Sequence, residues 1–181
     1  MSLKIYVLIS SLLMLMSCLT NQQKELRDFI GSNINISGLD TINSSISKNG
    51  SNVLEKNRVI VWFDEEDCSI CKLTHAEEWI RIYSFCNDSV SDAEFCMIFS
   101  VKPSLSKEKF YQTADSMKLP FTVLMDTCSI FYSSNPCIPT DNKLHVFLID
   151  KESKVRLAGN PLFSQQMMNL YVKGLITDFK E

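Results

Sequence analysis

Cys68-Ser69-Ile70-Cys71 is the segment of this chain whose residue types and spacing are best suited to chemistry. Two thiols so placed can pass between dithiol and disulfide, one attacking and the other resolving. A CxxC pair alone is a weak signal; its position makes it a strong one. Val59 to Phe63 is a continuous apolar run, the mark of a strand buried on both faces. From Cys71 to Cys86 the apolar residues Leu73, Ala76, Ile80 and Tyr83 recur at helical spacing, with Trp79 and Ile82 widening the stripe. The junction of such a strand with such a helix puts Cys68 at a helix N-terminus. There unpaired N–H groups and a partial positive charge favour a thiolate. Cys68 is expected as the exposed nucleophile, and Cys71, one turn in, as the recessed resolving thiol.

The elements that must hold this pair can be read along the chain. Thr20 to Lys56 is rich in Asn, Ser and Gly, with helical spacing over Lys24 to Ile30, a short strand near Ile34 and Ile36, and a loop or tether over Ser44 to Asn52. Phe95 to Val101 reads as a second buried strand. Ser106 caps a helix reaching Met117, with Phe110, Ala114 and Met117 inward. Phe121 to Met125 is another strand, followed by a loop holding Cys128, Pro136, Cys137 and Pro139. His145 to Ile149 and Val155 to Ala158 form a hairpin around Asp150 to Lys154. A last helix, opened by Ser164, carries Met167, Leu170, Tyr171, Gly174 and Leu175 on one face. This alternation predicts an α/β fold with a parallel part and an antiparallel edge.

A chain of 181 residues suits one domain with its own core. A net charge of −3, with no Lys/Arg stripe among aromatics, gives no electrostatic case for nucleic acid. Met1 to Lys4 followed by apolar Ile5 to Met16 is too short to span a bilayer and reads as a secretory signal. Its end, Leu15-Met16-Ser17-Cys18, resembles the bacterial lipobox. That resemblance implies cleavage before Cys18, lipidation of its thiol and an acyl anchor in the cell envelope, at either membrane or the cell surface. Loss of residues 1–17 removes Lys4 and no acid, leaving a mature chain of net charge −4. Besides Cys18, six of the seven cysteines remain: Cys68, Cys71, Cys86, Cys96, Cys128 and Cys137. An exported protein meets an oxidising or managed redox compartment, where cysteines pair, bind metal or do redox chemistry.

The segment from Val59 to Lys72, VIVWFDEEDCSICK, resembles the active-site region of thioredoxin-like proteins. LPFTVLMD from Leu119 to Asp126 and HVFLIDKESKVRLAGNP from His145 to Pro161 resemble the later strands of the TlpA/ResA branch, which contains exported, often membrane-anchored reductases. The resemblance implies a thioredoxin-like three-layer sandwich with a central mixed sheet over residues 58–181. A signal peptide over 1–17 and a tether and N-terminal extension over 18–57 precede it. It implies catalytic Cys68 and Cys71 and no cofactor beyond their redox-active disulfide. The implied partners are protein thiols and disulfides, with an upstream redox donor.

Three features depart from that family. Ser69-Ile70 stands where thioredoxins carry Gly-Pro. Asp67 stands where an aromatic is usual, and with Asp64, Glu65 and Glu66 it should oppose thiolate formation. Trp62 occupies the place of the buried acid; Glu65, Glu66 or Asp67 could stand in as proton carrier, though a solvated acidic loop is the simpler reading. Finally, the position of the family's cis-proline falls on Leu144, with Pro139 filling the role only if the loop is longer.

Other candidates carry competing readings. His75, four residues after Cys71, reads as a surface or packing histidine, with a third metal ligand as the alternative. Sco-type copper chaperones also use a thioredoxin fold, two cysteines and a distant histidine, so Cys68, Cys71 and His145 form an alternative copper set. The Sco spacing, however, is CxxxC. Another alternative is a catalytically weak interaction lipoprotein. Cys128 and Cys137 bracket a short loop and are either a structural disulfide or two separate packed thiols. Cys86 and Cys96 read as buried apolar fillers, and Met167-Met168 as packing.

Overall fold

A strand without polar alternation has no face to turn to water, and Arg58–Phe63 is buried at every position. Around it the computed structural model describes residues 23–43, 56–90, 93–102, 107–177 and 179. The signal segment, Cys18, the Ser44 to Asn52 tether and Ser106 lie outside the described residues. The element order is helix α1 over residues 23–29, then β1 (Asp40–Asn43), β2 (Arg58–Phe63), α2 (Ser69–Thr74) and α3 (Glu77–Ser89). There follow β3 (Glu94–Ser100), α4 (Lys107–Met117), β4 (Thr122–Asp126), α5 (Ile130–Ser134), β5 (Val146–Ile149), β6 (Val155–Ala158) and α6 (Gln165–Ile176).

The strands form one six-stranded mixed sheet, ordered β1-β4-β3-β2-β5-β6. β2, β3 and β4 run parallel, and β1, β5 and β6 add antiparallel edges. Successive residues of β2 point to opposite faces. Val59, Val61 and Phe63 meet Trp79 and Ile82 of α3, Phe110 of α4 and Tyr171 of α6. Ile60 and Trp62 meet Phe29 of α1 and Phe131 of α5. Helices therefore cover both faces, which is why the central strands read as unbroken apolar runs. Each fully buried side chain of this size contributes about 1.5–3 kcal/mol.

The last helix begins as its residue pattern predicts: Ser164 Oγ accepts the Met167 N–H at 3.3 Å. It seats closely on β5. A Cβ added to Gly174 would come within 3.3 Å of Leu148 Cδ1, and the buried Tyr171 hydroxyl reaches the Val146 and Gly159 carbonyl oxygens at 2.9 and 2.8 Å. Leu170, expected inward, is 48% exposed because the seam passes through Tyr171 and Leu175.

Four further differences from the sequence reading have local causes. The helix expected from Cys71 to Cys86 breaks at His75 and Ala76, where Thr74 Oγ1 donates to the Cys71 carbonyl at 2.8 Å and competes with the helical ladder. The N-terminal extension contains a strand that its sequence does not signal: β1 pairs with β4, while Phe29 and Ile34 are buried in the core. The strand expected near Ile34 and Ile36 is an isolated bridge, Asn33 to Lys154. Finally, the loop after β4 contains α5, which the sequence reading did not anticipate.

Candidate active site

The parallel strands deliver the dithiol. β2 ends at Phe63, a turn follows, and α2 starts at Ser69 with Cys68 as its extended N-cap residue, φ −73° and ψ 93°. Cys68 and Cys71 are joined as a disulfide. Cys68 Sγ also accepts the Cys71 N–H at 3.4 Å, so the helix tip directs an unpaired donor at this sulfur. Ser69 and Leu73 occupy the inward side of α2, and Ser69 Oγ donates to the Ser100 carbonyl at 3.4 Å. That geometry corrects one expectation: Cys71 is exposed, as Cys68 is, because the inward positions of this short helix are taken by its neighbours. What distinguishes the two sulfurs is the N-cap position of Cys68.

The acidic turn before Cys68 is organised. Asp64 Oδ1 accepts the N–H groups of Glu66 and Asp67 at 2.9 and 3.1 Å. Ser129 Oγ donates to Glu65 Oε1, Lys102 lies 3.7 Å from Glu66, and Lys72 lies 3.3 Å from Asp67. The first turn of α2 itself contains no acid, so the acidic charge near Cys68 comes from the preceding turn.

Beside this turn, at the C-terminal ends of β2, β3 and β4, a cleft of about 470 Å³ opens. Trp62, Asp64, Glu65, Glu66, Tyr132 and His145 contribute to its wall. The Trp62 and Tyr132 rings stack with centroids 5.7 Å apart and an interplanar angle of 12°. Trp62 Nε1 donates to Ser100 Oγ at 3.0 Å, and Ser100 Oγ lies 3.4 Å from Asp126 Oδ2. Asp126 is buried and also accepts the N–H groups of Cys128, Ile130 and Phe131 at 3.2, 2.9 and 2.9 Å. It thereby fixes the start of α5 and the position of Tyr132. The signal that could have found this device is an acid closing a buried strand just ahead of Thr127-Cys128-Ser129.

His145 lines the cleft beside the acidic turn. Its ring stands 4.2 Å from that of Trp62, and its Nε2 is 3.0 Å from the Pro139 carbonyl oxygen. Burial pushes its imidazole below the ordinary value, against that carbonyl and the charges of Asp64, Asp67 and Asp141. Among the described residues no three of His, Cys, Asp and Glu are grouped so as to hold a metal ion. His75 is exposed at the break after α2. No peptide bond among the described residues is cis, and Pro139 lines the cleft.

Among the described residues Cys86, Cys96, Cys128 and Cys137 are free. The Cys128–Cys137 disulfide weighed from the sequence is not formed: α5 stands between the two residues, Cys128 Sγ faces Thr127 Oγ1 at 3.7 Å, and Cys137 Sγ faces the Asn33 carbonyl at 3.9 Å. Cys86 and Cys96 are buried, and burial pushes their thiols up to about 11 and about 12.

No family model matches the chain, and no curated protein is similar to it in sequence. Solved structures share its fold. Yeast Sco1 with copper bound is similar at a TM-score of 0.54 and 12% identity, over 83% of this chain and 95% of that one. Bradyrhizobium japonicum ScoI with copper bound is similar at 0.50 and 12%, over 81% and 99%. The thioredoxin domain of a thiol-disulfide oxidoreductase from Bacteroides vulgatus is similar at 0.46 and 14%, over 80% and 98%. The fold is thioredoxin-like, with a CxxC-spaced disulfide at the strand-to-helix junction.

Proposed function

We propose that this protein is a thiol–disulfide oxidoreductase of the TlpA/ResA kind, reducing disulfides of exported proteins through Cys68 and Cys71. The observation that carries the reading is the Cys68–Cys71 disulfide at the N-terminus of α2, with Cys68 as N-cap. In the reduced protein the Cys68 thiolate attacks one sulfur of a substrate disulfide. A Cys68–substrate bond forms, and the other substrate sulfur leaves with the electron pair and takes a proton. Cys71, after losing its proton to solvent, attacks Cys68 and releases the second substrate sulfur, which is protonated in turn. The substrate gains two electrons and two protons, the protein ends as the disulfide, and an upstream dithiol donor restores it. The acidic turn at Asp64 to Asp67 supports the reductive direction, since nearby carboxylates disfavour a very acidic thiol. The test is insulin reduction with dithiothreitol as donor. Turnover that disappears in Cys68→Ser is expected; no turnover above the dithiothreitol background overturns the reading.

The export half of the proposal rests on the apolar run ending at Cys18. On this proposal Cys18 is the lipid-bearing residue and holds the protein in the cell envelope, on the periplasmic face of the inner or outer membrane or at the cell surface. Cys18→Ala is expected to move the protein to the soluble exported fraction; retention on salt-washed membranes overturns the anchor.

A further inference from the structure

Asp67 and Lys72 close around the dithiol. They stand on either side of Cys68-Ser69-Ile70-Cys71, and Lys72 Nζ lies 3.3 Å from Asp67 Oδ1. The Lys72 N–H donates to the Cys68 carbonyl at 2.9 Å, so Lys72 lies one helical turn from Cys68, on the same side of α2. Its amine is held a second time, 5.7 Å from the centroid of the Phe63 ring. Contacts from the turn and from the end of β2 thus fix a cation that would otherwise range through solvent. The Lys72 and Asp67 side chains are 47% and 24% exposed, and a pair this open adds little to stability. Its effect falls instead on the charge state of the group it encloses.

Asp67 is the carboxylate next to Cys68 in the chain, and an unpaired anion there raises the cost of forming a thiolate. The other acids of the turn have partners outside α2. Asp64 takes backbone N–H groups of its own turn, Glu65 the Ser129 hydroxyl and Glu66 the Lys102 amine. His75, past the end of α2, is exposed to solvent. We propose that Lys72 is a positioning residue for the attack of Cys68: it neutralises Asp67 and so keeps the Cys68 thiol ionisable beside the acidic turn. The proposal deepens the oxidoreductase reading and rests on it. Asp64, Glu65 and Glu66 still hold the thiol short of strong acidity. The first exchange step is unchanged: the Cys68–substrate bond forms as the substrate's own S–S bond breaks, with the leaving sulfur taking the electron pair and a proton.

The test reads the pH midpoint of iodoacetamide reaction at Cys68, followed by mass spectrometry of the Cys68 peptide in reduced Cys71→Ser protein at low salt. Lys72→Met keeps an apolar stem against Phe63 and removes the charge. The midpoint is expected to rise by about half a pH unit, a shift that shrinks with added salt. Lys72→Arg is expected to hold the midpoint in place. Asp67→Asn combined with Lys72→Met removes both charges and is expected to bring the midpoint back, a recovery that a merely structural loss would not give. Lys72→Gln repeats the charge removal should Lys72→Met fail to fold. A midpoint unmoved by loss of the Lys72 charge overturns the proposal, and so does a double variant whose midpoint stays as high as that of Lys72→Met. Insulin reduction by the unaltered protein is measured alongside. Turnover there with an unmoved midpoint overturns the role of Lys72 and leaves the oxidoreductase reading standing. No turnover overturns that reading, and the role of Lys72 with it.

Discussion

Cys96 lies inside β3, 5% exposed, its thiol pushed up to about 12 by burial. Cys68 lies exposed at the tip of α2, bonded to Cys71 and facing a backbone N–H. These are the same side chain in two settings. In the sheet interior the sulfur is an apolar filler, and charging it would mean burying an anion among Ile60, Trp62 and Ile98. At the helix tip the backbone supplies donors, and solvent reaches the sulfur. The difference shows that the end of an element is where this fold can afford reactive groups, while its middle excludes them.

The largest test of that contrast is one substitution made twice. Cys68→Ser is expected to lower exchange by about a thousandfold or more, since a hydroxyl cannot replace the thiolate, with the unfolding midpoint in urea, measured on the reduced protein, little changed. Cys96→Ser should do the reverse. Exchange persists, and stability falls by about 1–3 kcal/mol as a hydroxyl is buried among apolar groups. Loss of exchange in Cys96→Ser protein that is still folded would break the comparison.

A smaller effect separates the two regions by pH. For Cys86 and Cys96 the folded thiols sit at about 11 and about 12, above the ordinary value of 9.0. The unfolded chain therefore loses these protons first, and stability is full below pH 9 and declines as pH rises towards the folded values. His145 works on the acid side. Its folded value is lowered, so below the ordinary 6.5 the unfolded chain binds a proton that the folded one refuses. Stability attributable to His145 is full above pH 6.5 and declines as pH falls below it. Melting temperature against pH should show both declines, with the acid limb shallower in His145→Gln. An acid limb unchanged in that variant would remove His145 as its source.

The smallest expected effect is on the last two cysteines. Cys128→Ala with Cys137→Ala should cost no more than about 1 kcal/mol and leave exchange intact, since neither thiol is paired, Cys128 is exposed and Cys137 only partly buried at the edge of the core. A loss of several kcal/mol would mean that they pair in the oxidised protein after all, which peptide mapping without reduction would reveal.

Local periodicity alone determined a good deal of this molecule. The apolar runs at β2, β3, β4 and β5, the helical stripes of α4 and α6, the Ser164 cap and the CxxC pair at a strand-to-helix junction are all written in neighbouring residues. So is the burial of Cys86 and Cys96, because a stripe or run declares which positions turn inward. Tertiary structure decided what depends on distant partners. Asp40 became a strand residue only by pairing with Met125, and Phe29 joined the core only by meeting Phe147 edge-on at 5.1 Å. α5 needed Asp126 held at the end of β4 to satisfy its N–H groups. The cleft needed the ends of three strands and the Pro139 to His145 segment brought together. The exposure of Cys71 followed from Ser69 and Leu73 taking the inward side of α2. Spacing along the chain records the period of an element, but a pairing or a cleft is a property of surfaces that the chain brings together only when folded.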